Sequence, residues 1–128
     1  MTPTLIILID DNPITLFYNE DVVREVFSEV KIITYESSTT FLEDFLALKF
    51  SQEEILLFLD ISMPVYSGFE LLEEIEEEID DLNKLSVIML TSSKMKSDTE
   101  KATRFPIIIS YIEKPVTKLK ITDIFHNA

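Results

Sequence analysis

Acidic, hydroxyl and basic side chains each follow a short apolar run in this sequence. Asp10 and Asp11 come after one run, Asp60 after another, Thr91 after a third, and Lys114 closely after a fourth. Carboxylates offer the hard oxygen ligands that suit Mg²⁺ rather than zinc or copper. With Mg²⁺ in place, one Lys and one hydroxyl could hold the outer oxygens of a phosphoryl group, and a carboxylate could act as nucleophile. If these residues meet in space, they predict a phosphoryl-transfer site.

Each of these signals also has an ordinary structural explanation. An Asp after a strand often bonds its own backbone in a turn, and a Thr at a strand end is usually structural. A Lys before a Pro often marks only a turn. Only the conjunction of all of them favours a functional site.

The apolar runs predict the elements that must position these residues. The runs are too short for buried helices and are typical of strands buried on both faces. Helical spacing of apolar residues between them indicates alternating strands and helices around a parallel sheet, an α/β fold. Ligands bind such sheets beyond the carboxyl ends of the strands, where all the residues above are expected to lie. The strands are predicted at about 4 to 10, Val30 to Tyr35, Ile55 to Asp60, Leu85 to Leu90 and Ile107 to Ile112.

Helical periodicity and capping residues predict five helices. Asn12 is a plausible cap for the first, with Pro13 at its first position, and Ser37 or Ser38 can cap the second. The helices are predicted at about 13 to 27, from Ser37 or Ser38 onwards, Phe69 to Ile79, Ser97 to Phe105 with few apolar residues, and Thr117 to Phe125. The apolar members expected inside are Ile14, Phe17, Tyr18 and Val22 in the first; Phe41, Phe45 and Leu48 in the second; Phe69, Leu72, Ile75 and Ile79 in the third; and Leu119, Ile121, Ile124 and Phe125 in the last.

Length and composition bound the class of protein. A chain of 128 residues that is 46% hydrophobic suits one domain with a substantial core, so we expect residues 1 to 128 to form a single domain. The chain has no cysteine, which excludes disulfides and thiolate metal sites and fits a reducing, cytoplasmic setting. No apolar run approaches the roughly 18 residues that a membrane span needs, so we expect no membrane insertion.

Charge is distributed unevenly along the chain. The net charge is -13; residues 1 to 90 hold 4 basic and 20 acidic side chains, and residues 91 to 128 hold 7 and 4. Nucleic-acid affinity depends largely on neutralising phosphates, so this balance opposes direct binding to nucleic acid. An acidic partner should approach the carboxyl-terminal third.

Over residues 4 to 126 the chain resembles the receiver (CheY-like) domain of two-component response regulators. The resemblance is carried by the acidic pair after the first strand, by Thr91 after the fourth and by Lys114-Pro115 after the fifth. It is also carried by Asp60-Ile61-Ser62-Met63-Pro64-Val65-Tyr66-Ser67-Gly68, which matches the pattern D-x-x-M-P-x-x-x-G. The resemblance implies a flavodoxin-like three-layer sandwich with strand order 2-1-3-4-5 and five helices.

The resemblance also implies residue roles. Asp60 would be the phosphoacceptor; Asp11 and Asp60 would ligate Mg²⁺ directly, Asp10 mainly through water, and Ser62 through its backbone carbonyl. Lys114 would pair with the phosphoryl oxygens.

The remaining implied roles concern the response to phosphorylation. Phosphorylation would draw the Thr91 hydroxyl towards the new oxygens and leave a space for Tyr111, a switch that shifts populations between two packings. Tyr111 could alternatively be a structural residue packed on the core. The Lys114-Pro115 peptide bond is expected to be cis.

The favoured function is a stand-alone receiver in a phosphorelay, because the chain stops soon after the last predicted helix. Its donor would be a histidine kinase or histidine phosphotransfer protein, its output the binding of an unknown downstream protein, and its catalysis limited to its own phosphorylation and dephosphorylation. One alternative is a Mg²⁺-dependent phosphatase, which the absence of a second acid two residues after Asp60 opposes. The other is an interaction module that does not use phosphate.

Overall fold

The apolar runs form a five-stranded parallel sheet in the computed structural model, which describes residues 2 to 63, 65 to 78, 84 to 92 and 105 to 126. The strands are β1 (Leu5–Ile9), β2 (Lys31–Tyr35), β3 (Ile55–Asp60), β4 (Leu85–Thr91) and β5 (Ile108–Glu113). Their order in the sheet is β2-β1-β3-β4-β5, as predicted, and neighbouring strands pair in parallel. The carboxyl ends of all five strands therefore lie along one edge.

The described residues contain four helices. They are α1 (Pro13–Val26), α2 (Ser38–Leu46), α3 (Gly68–Glu78) and α4 (Lys118–His126). The further helix predicted around Ser97 to Phe105 falls on residues 93 to 104, outside the described residues, and Phe105 itself is described and is not helical. None of the described helices is long and apolar enough to cross a membrane.

Side-chain caps hold the first turn of each of the four described helices. The Asn12 side chain accepts hydrogen bonds from the backbone N–H groups of Ile14 and Thr15, with Pro13 at the start of α1. Ser37 caps α2. At α3 the Ser67 hydroxyl accepts from the Glu70 N–H while the Glu70 carboxylate accepts from the Ser67 N–H, a reciprocal capping box. At α4 the Thr117 hydroxyl accepts a hydrogen bond from the Lys120 N–H. Each cap satisfies amide groups that the helix cannot pair itself.

The sheet separates two apolar clusters. Every residue of β1 and β3 is buried, which explains their unbroken apolar sequences. Alternate residues of the central strands face α2 and α3 on one side and α1 and α4 on the other. The result is a three-layer sandwich whose rigid centre ends at Asp10 and Asp60.

The predicted buried face of α1 was wrong at three of its four positions. Ile14 is 81% exposed, Phe17 is 70% exposed and Tyr18 is exposed, whereas Val22 is partly buried and packs against the core, as predicted. The residues that α1 buries are Leu16, Asn19 and Val23. The helix carries apolar residues around much of its circumference, so periodicity alone does not choose the face that meets the sheet.

Two other predicted core positions were also wrong. Leu48 lies beyond the end of α2 and is 65% exposed, with a φ of 61°, and Leu119 on α4 is exposed as well. The predicted core of α3 is confirmed for Phe69, Leu72 and Ile75, whereas Ile79 lies outside the described residues. Phe41 is buried in α2, and Ile121 is buried in α4. Phe45, Ile124 and Phe125 are partly buried against the two clusters.

Candidate functional site: an acidic pocket at the carboxyl edge of the sheet

The pocket begins with the acidic pair that follows β1. Asp10 is buried, and its Oδ1 accepts a hydrogen bond of 2.9 Å from the Asn12 N–H, so the turn into α1 fixes its side chain. The backbone of Asp10 is held as well, because its N–H donates to the carbonyl of Tyr35 at the end of β2. Asp11 is exposed. One carboxylate of the pair is thus rigid and the other faces solvent.

Asp60, the last residue of β3, is buried beside these two acids. Its Oδ1 accepts a hydrogen bond of 3.2 Å from the Ser62 N–H. One carboxylate oxygen from each of Asp10, Asp11 and Asp60 can be chosen so that all three lie within 4.8 Å of one another. Oxygen donors at this spacing are the chemistry that Mg²⁺ or Ca²⁺ takes, and three uncompensated charges would repel one another. The three Asp residues therefore fit a divalent cation.

Lys114 brings a positive charge into the same pocket. Its Nζ lies 3.4 Å from Oδ2 of Asp10 and 3.3 Å from Oδ1 of Asp60. Its backbone N–H donates to the Thr91 carbonyl over 2.7 Å, which ties the end of β5 to the end of β4. The Lys114-Pro115 peptide bond is cis, the geometry that the resemblance implied. One cation and three carboxylates still leave the site with an excess of negative charge.

The pKa of the Asp60 carboxyl lies above its usual range. Burial is the largest cause, because it penalises the charged form. The positive charge of Lys114 opposes that rise, the neighbouring Asp10 carboxylate adds to it, and the hydrogen bond from Ser62 lowers the pKa again. A second positive charge in the pocket would favour the ionised, nucleophilic form of Asp60.

Thr91 and Tyr111 lie on the neighbouring strands. Thr91 ends β4 and is buried, and it pairs with Glu113 in the register of β4 and β5. Tyr111 pairs with Met89, two residues further from the edge, and packs half-buried against the α2 and α3 side of the core. The pairing places Thr91 at the edge of the pocket and Tyr111 two residues further into the sheet.

The contacts of Gly68 explain why the loop after Asp60 ends in glycine. Its N–H donates to the Ile61 carbonyl over 2.8 Å and closes the loop. A Cβ at this position would lie 2.8 Å from both the Asp60 carbonyl oxygen and Cε of Met89. The chain therefore needs the smallest residue where α3 passes against the backbone of β3.

Sequence reasoning missed some of the contacts that hold the pocket. The Asn12 N–H to Asp10 bond is a local Asx-type turn that the Asp-x-Asn spacing could have indicated. The bond from the Ser38 hydroxyl to the Tyr66 carbonyl joins α2 to the loop after Asp60, and no local sequence signal indicates it. Contacts of this second kind depend on how distant elements pack.

Solved structures share this fold over nearly the whole chain. A two-component response regulator from Cytophaga hutchinsonii is 24% identical with a TM-score of 0.85, covering 99% of this chain and 97% of its own. A response regulator receiver protein from Dyadobacter fermentans DSM 18053 is 21% identical with a TM-score of 0.81, covering 96% and 95%. At these identities the likeness establishes the fold.

A curated relative is closer in sequence. Stress response regulator protein 1 of Debaryomyces hansenii is 34% identical over 96 residues, which are 75% of this chain. The chain covers only 38% of the length of that relative. The response regulator receiver domain family matches residues 6 to 126, and this match includes every element of the sheet except the first residue of β1. The chain therefore belongs to the response regulator receiver domain family of two-component signalling.

Proposed function

We propose that Asp60 accepts a phosphoryl group from a phosphohistidine of a histidine kinase or histidine phosphotransfer protein. A carboxylate oxygen of Asp60 attacks phosphorus, the bond from phosphorus to the imidazole nitrogen breaks, and the electron pair leaves with the imidazole. An acyl phosphate is formed on Asp60. The observation that carries this proposal is the meeting of three carboxylates within 4.8 Å, with the Lys114 ammonium 3.3 Å from Asp60.

Asp10, Asp11, Asp60 and the backbone carbonyl of Ser62 would hold the Mg²⁺ ion. When bound, Mg²⁺ supplies positive charge against the oxygens of the phosphoryl group. The chain's own residues orient the nucleophile, since Asp60 is buried at the end of a central strand and bonded to the Ser62 N–H. Lys114, which directly follows β5, offers its ammonium to the developing charge.

The output would be a change in packing behind the pocket. The new phosphoryl oxygens would attract the Thr91 hydroxyl, and Tyr111 would move towards the space that it leaves. These residues follow each other from the pocket edge into the sheet, which supports such a relay. The altered surface would then bind a downstream protein, and the net charge of -13 opposes nucleic acid as that partner.

Catalysis would be limited to the protein's own phosphorylation and dephosphorylation. Ser62, two residues after Asp60, cannot protonate a poor leaving group as a general acid would. A phosphohistidine or acyl phosphate donor needs little such help. Steady turnover of a phosphomonoester would instead favour a phosphatase.

The direct experiment is incubation with acetyl phosphate and Mg²⁺ followed by intact-mass measurement. We expect the wild type to gain one phosphoryl group and Asp60→Asn to gain none. Omission of Mg²⁺ should abolish the gain in the wild type. Equal phosphorylation of the Asp60→Asn variant would show that the acceptor is another residue.

A further inference from the structure

Ser38 is a buried polar residue outside the pocket. It is the first residue of α2 and only 3% exposed. Its hydroxyl donates a hydrogen bond of 3.3 Å to the carbonyl of Tyr66, 28 residues further along the chain. The Ser38 hydroxyl is not needed to cap α2, because Ser37 provides that cap.

The Tyr66 carbonyl belongs to the loop that follows the acceptor Asp60. At its base the loop is closed by the bond from the Gly68 N–H to the Ile61 carbonyl. Near its start the Ser62 N–H is bonded to Asp60. The start of the loop is also tied to β4, because the Ile61 N–H donates to the Leu90 carbonyl. The bond from Ser38 attaches the far part of the same loop to α2.

The loop needs such an attachment because part of it is strained. Val65, directly before Tyr66, has a φ of 70°, a left-handed conformation that is unfavourable for a β-branched side chain. Val65 is 77% exposed, so burial of its own side chain does not compensate for the strain. Strained backbone persists only where its surroundings enforce it. The hydrogen bond at the adjacent Tyr66 carbonyl is a restraint of that kind.

We propose that Ser38 is a positioning residue for the Mg²⁺ site, because it holds the loop that presents the Ser62 carbonyl. It touches neither the cation nor the phosphoryl group. Its hydroxyl favours the bound conformation of the loop before the cation arrives, so its loss lowers cation affinity. This inference rests on the proposed Mg²⁺-dependent function.

Mg²⁺ affinity of the purified protein, measured by isothermal titration calorimetry with MgCl₂, is the test. Ser38→Ala should bind Mg²⁺ about fivefold more weakly than the wild type, as expected for the loss of one ordinary hydrogen bond. Ser38→Cys keeps the size of the side chain with a much weaker donor, so it should lose affinity in the same direction. If Ser38→Ala does not fold, the Mg²⁺ affinity of Ser38→Cys alone tests the positioning role.

Ser37→Ala provides the matched control. Ser37 is the residue next to Ser38. Its replacement removes the cap on the Thr40 N–H and leaves the bond from Ser38 to Tyr66 in place. This control should lower the melting temperature of the protein while its Mg²⁺ affinity stays within twofold of the wild type. A general loss of α2 stability would instead weaken Mg²⁺ binding in both variants.

A second readout does not involve the cation at all. Exchange of the backbone N–H groups of residues 61 to 63 and 65 to 67 in the metal-free protein should become several-fold faster in Ser38→Ala and remain unchanged in Ser37→Ala.

The outcomes separate this inference from the proposed function. If the wild type binds Mg²⁺ and both Ser38 variants bind it equally well, the positioning role is wrong and the proposed function stands. A loss of affinity in Ser37→Ala equal to that in Ser38→Ala also overturns the positioning role. If the wild type itself does not bind Mg²⁺, the proposed function fails and the positioning role fails with it.

Discussion

The Nζ atom of Lys114 lies 3.3 Å from Oδ1 of Asp60 and 3.4 Å from Oδ2 of Asp10. One ammonium therefore serves two buried carboxylates, while its own side chain remains 28% exposed. A phosphoryl group attached to Asp60 would take up a position beside the same ammonium. Lys114 would therefore act both before and after the proposed phosphorylation.

Replacing Lys114 by Gln should separate cation binding from phosphoryl transfer. Loss of a group that stabilises developing charge typically costs about 100-fold in rate, so we expect phosphorylation by acetyl phosphate to slow by that order. Mg²⁺ affinity should be retained or increased, because a competing positive charge is removed. Intact-mass time courses and calorimetry measure the two effects. The exposed Lys118→Gln removes the same charge outside the pocket and should change neither property by more than twofold.

Asp60→Asn should stabilise the metal-free protein at neutral pH. Burial raises the pKa of Asp60 in the folded state, so the native protein binds that proton more readily than the unfolded chain. The stability associated with this group is fully present below the ordinary Asp pKa and is lost as pH rises through the raised value. The variant avoids that loss. Urea unfolding in EDTA at several pH values should show the gap between variant and wild type closing as the solution becomes acidic.

Mg²⁺ provides the internal control for this prediction. Binding to the folded state alone stabilises by mass action, so millimolar Mg²⁺ should stabilise the wild type more than Asp60→Asn, which lacks one ligand. Millimolar Mg²⁺ should therefore narrow or reverse the difference in melting temperature between Asp60→Asn and the wild type. A wild type that melts at the same temperature with and without Mg²⁺ would contradict the cation site.

Gly68→Ala should destabilise the protein by about 1–3 kcal/mol, the usual cost of forcing an extra group into a packed site. The added methyl would meet the Asp60 carbonyl oxygen and Cε of Met89, and the backbone atom cannot move away without shifting β3. Urea unfolding measures the change in free energy. An unchanged free energy of unfolding would show that α3 can retreat from the sheet.

The strands and the pocket could be predicted because their signals are local. Unbroken apolar runs indicate strands buried on both faces, and parallel strands bring their carboxyl ends to a common edge. The acidic pair, Asp60 and Lys114 were placed together for this reason. This prediction does not need the exact register between strands, because in any parallel sheet the carboxyl ends of the strands lie at the same edge.

The buried face of α1 could not be predicted in the same way. Leu16 and Val23 point inwards, but Ile14 and Phe17 are equally apolar and point outwards. The choice depends on the direction in which the helix leaves β1, fixed by the Asn12 cap and the packing of α4. Similarly, the contact between Ser38 and Tyr66 exists only after α2 and α3 pack on the same side of the sheet.

Leu48 offers a test of backbone strain. Its φ of 61° and the bonds from the Lys49 N–H to Asp44 and from the Leu48 N–H to Phe45 form a Schellman ending to α2, where glycine is preferred. Leu48→Gly should raise the free energy of unfolding by about 1 kcal/mol, because the side chain is mostly exposed and the strain is removed. Leu46→Gly, at the last residue of α2, should lower the free energy of unfolding by up to about 1 kcal/mol. Loss of stability in both variants would mean that Leu48 packs more than its exposure indicates.

The exposed apolar face of α1 should affect the rate of phosphorylation only when the phosphoryl donor is a protein. Ile14 and Phe17 project from a helix that starts at the pocket, so any phosphohistidine domain that reaches Asp60 must cover this part of the surface. Phe17→Ala should slow phosphotransfer from such a domain about tenfold or more, as for a central aromatic contact, and leave the reaction with acetyl phosphate unchanged. Leu46→Ala, exposed on α2, should alter neither reaction. Equal slowing with both donors would place the effect of Phe17 on the pocket itself, and no slowing with either would exclude α1 from the docking surface.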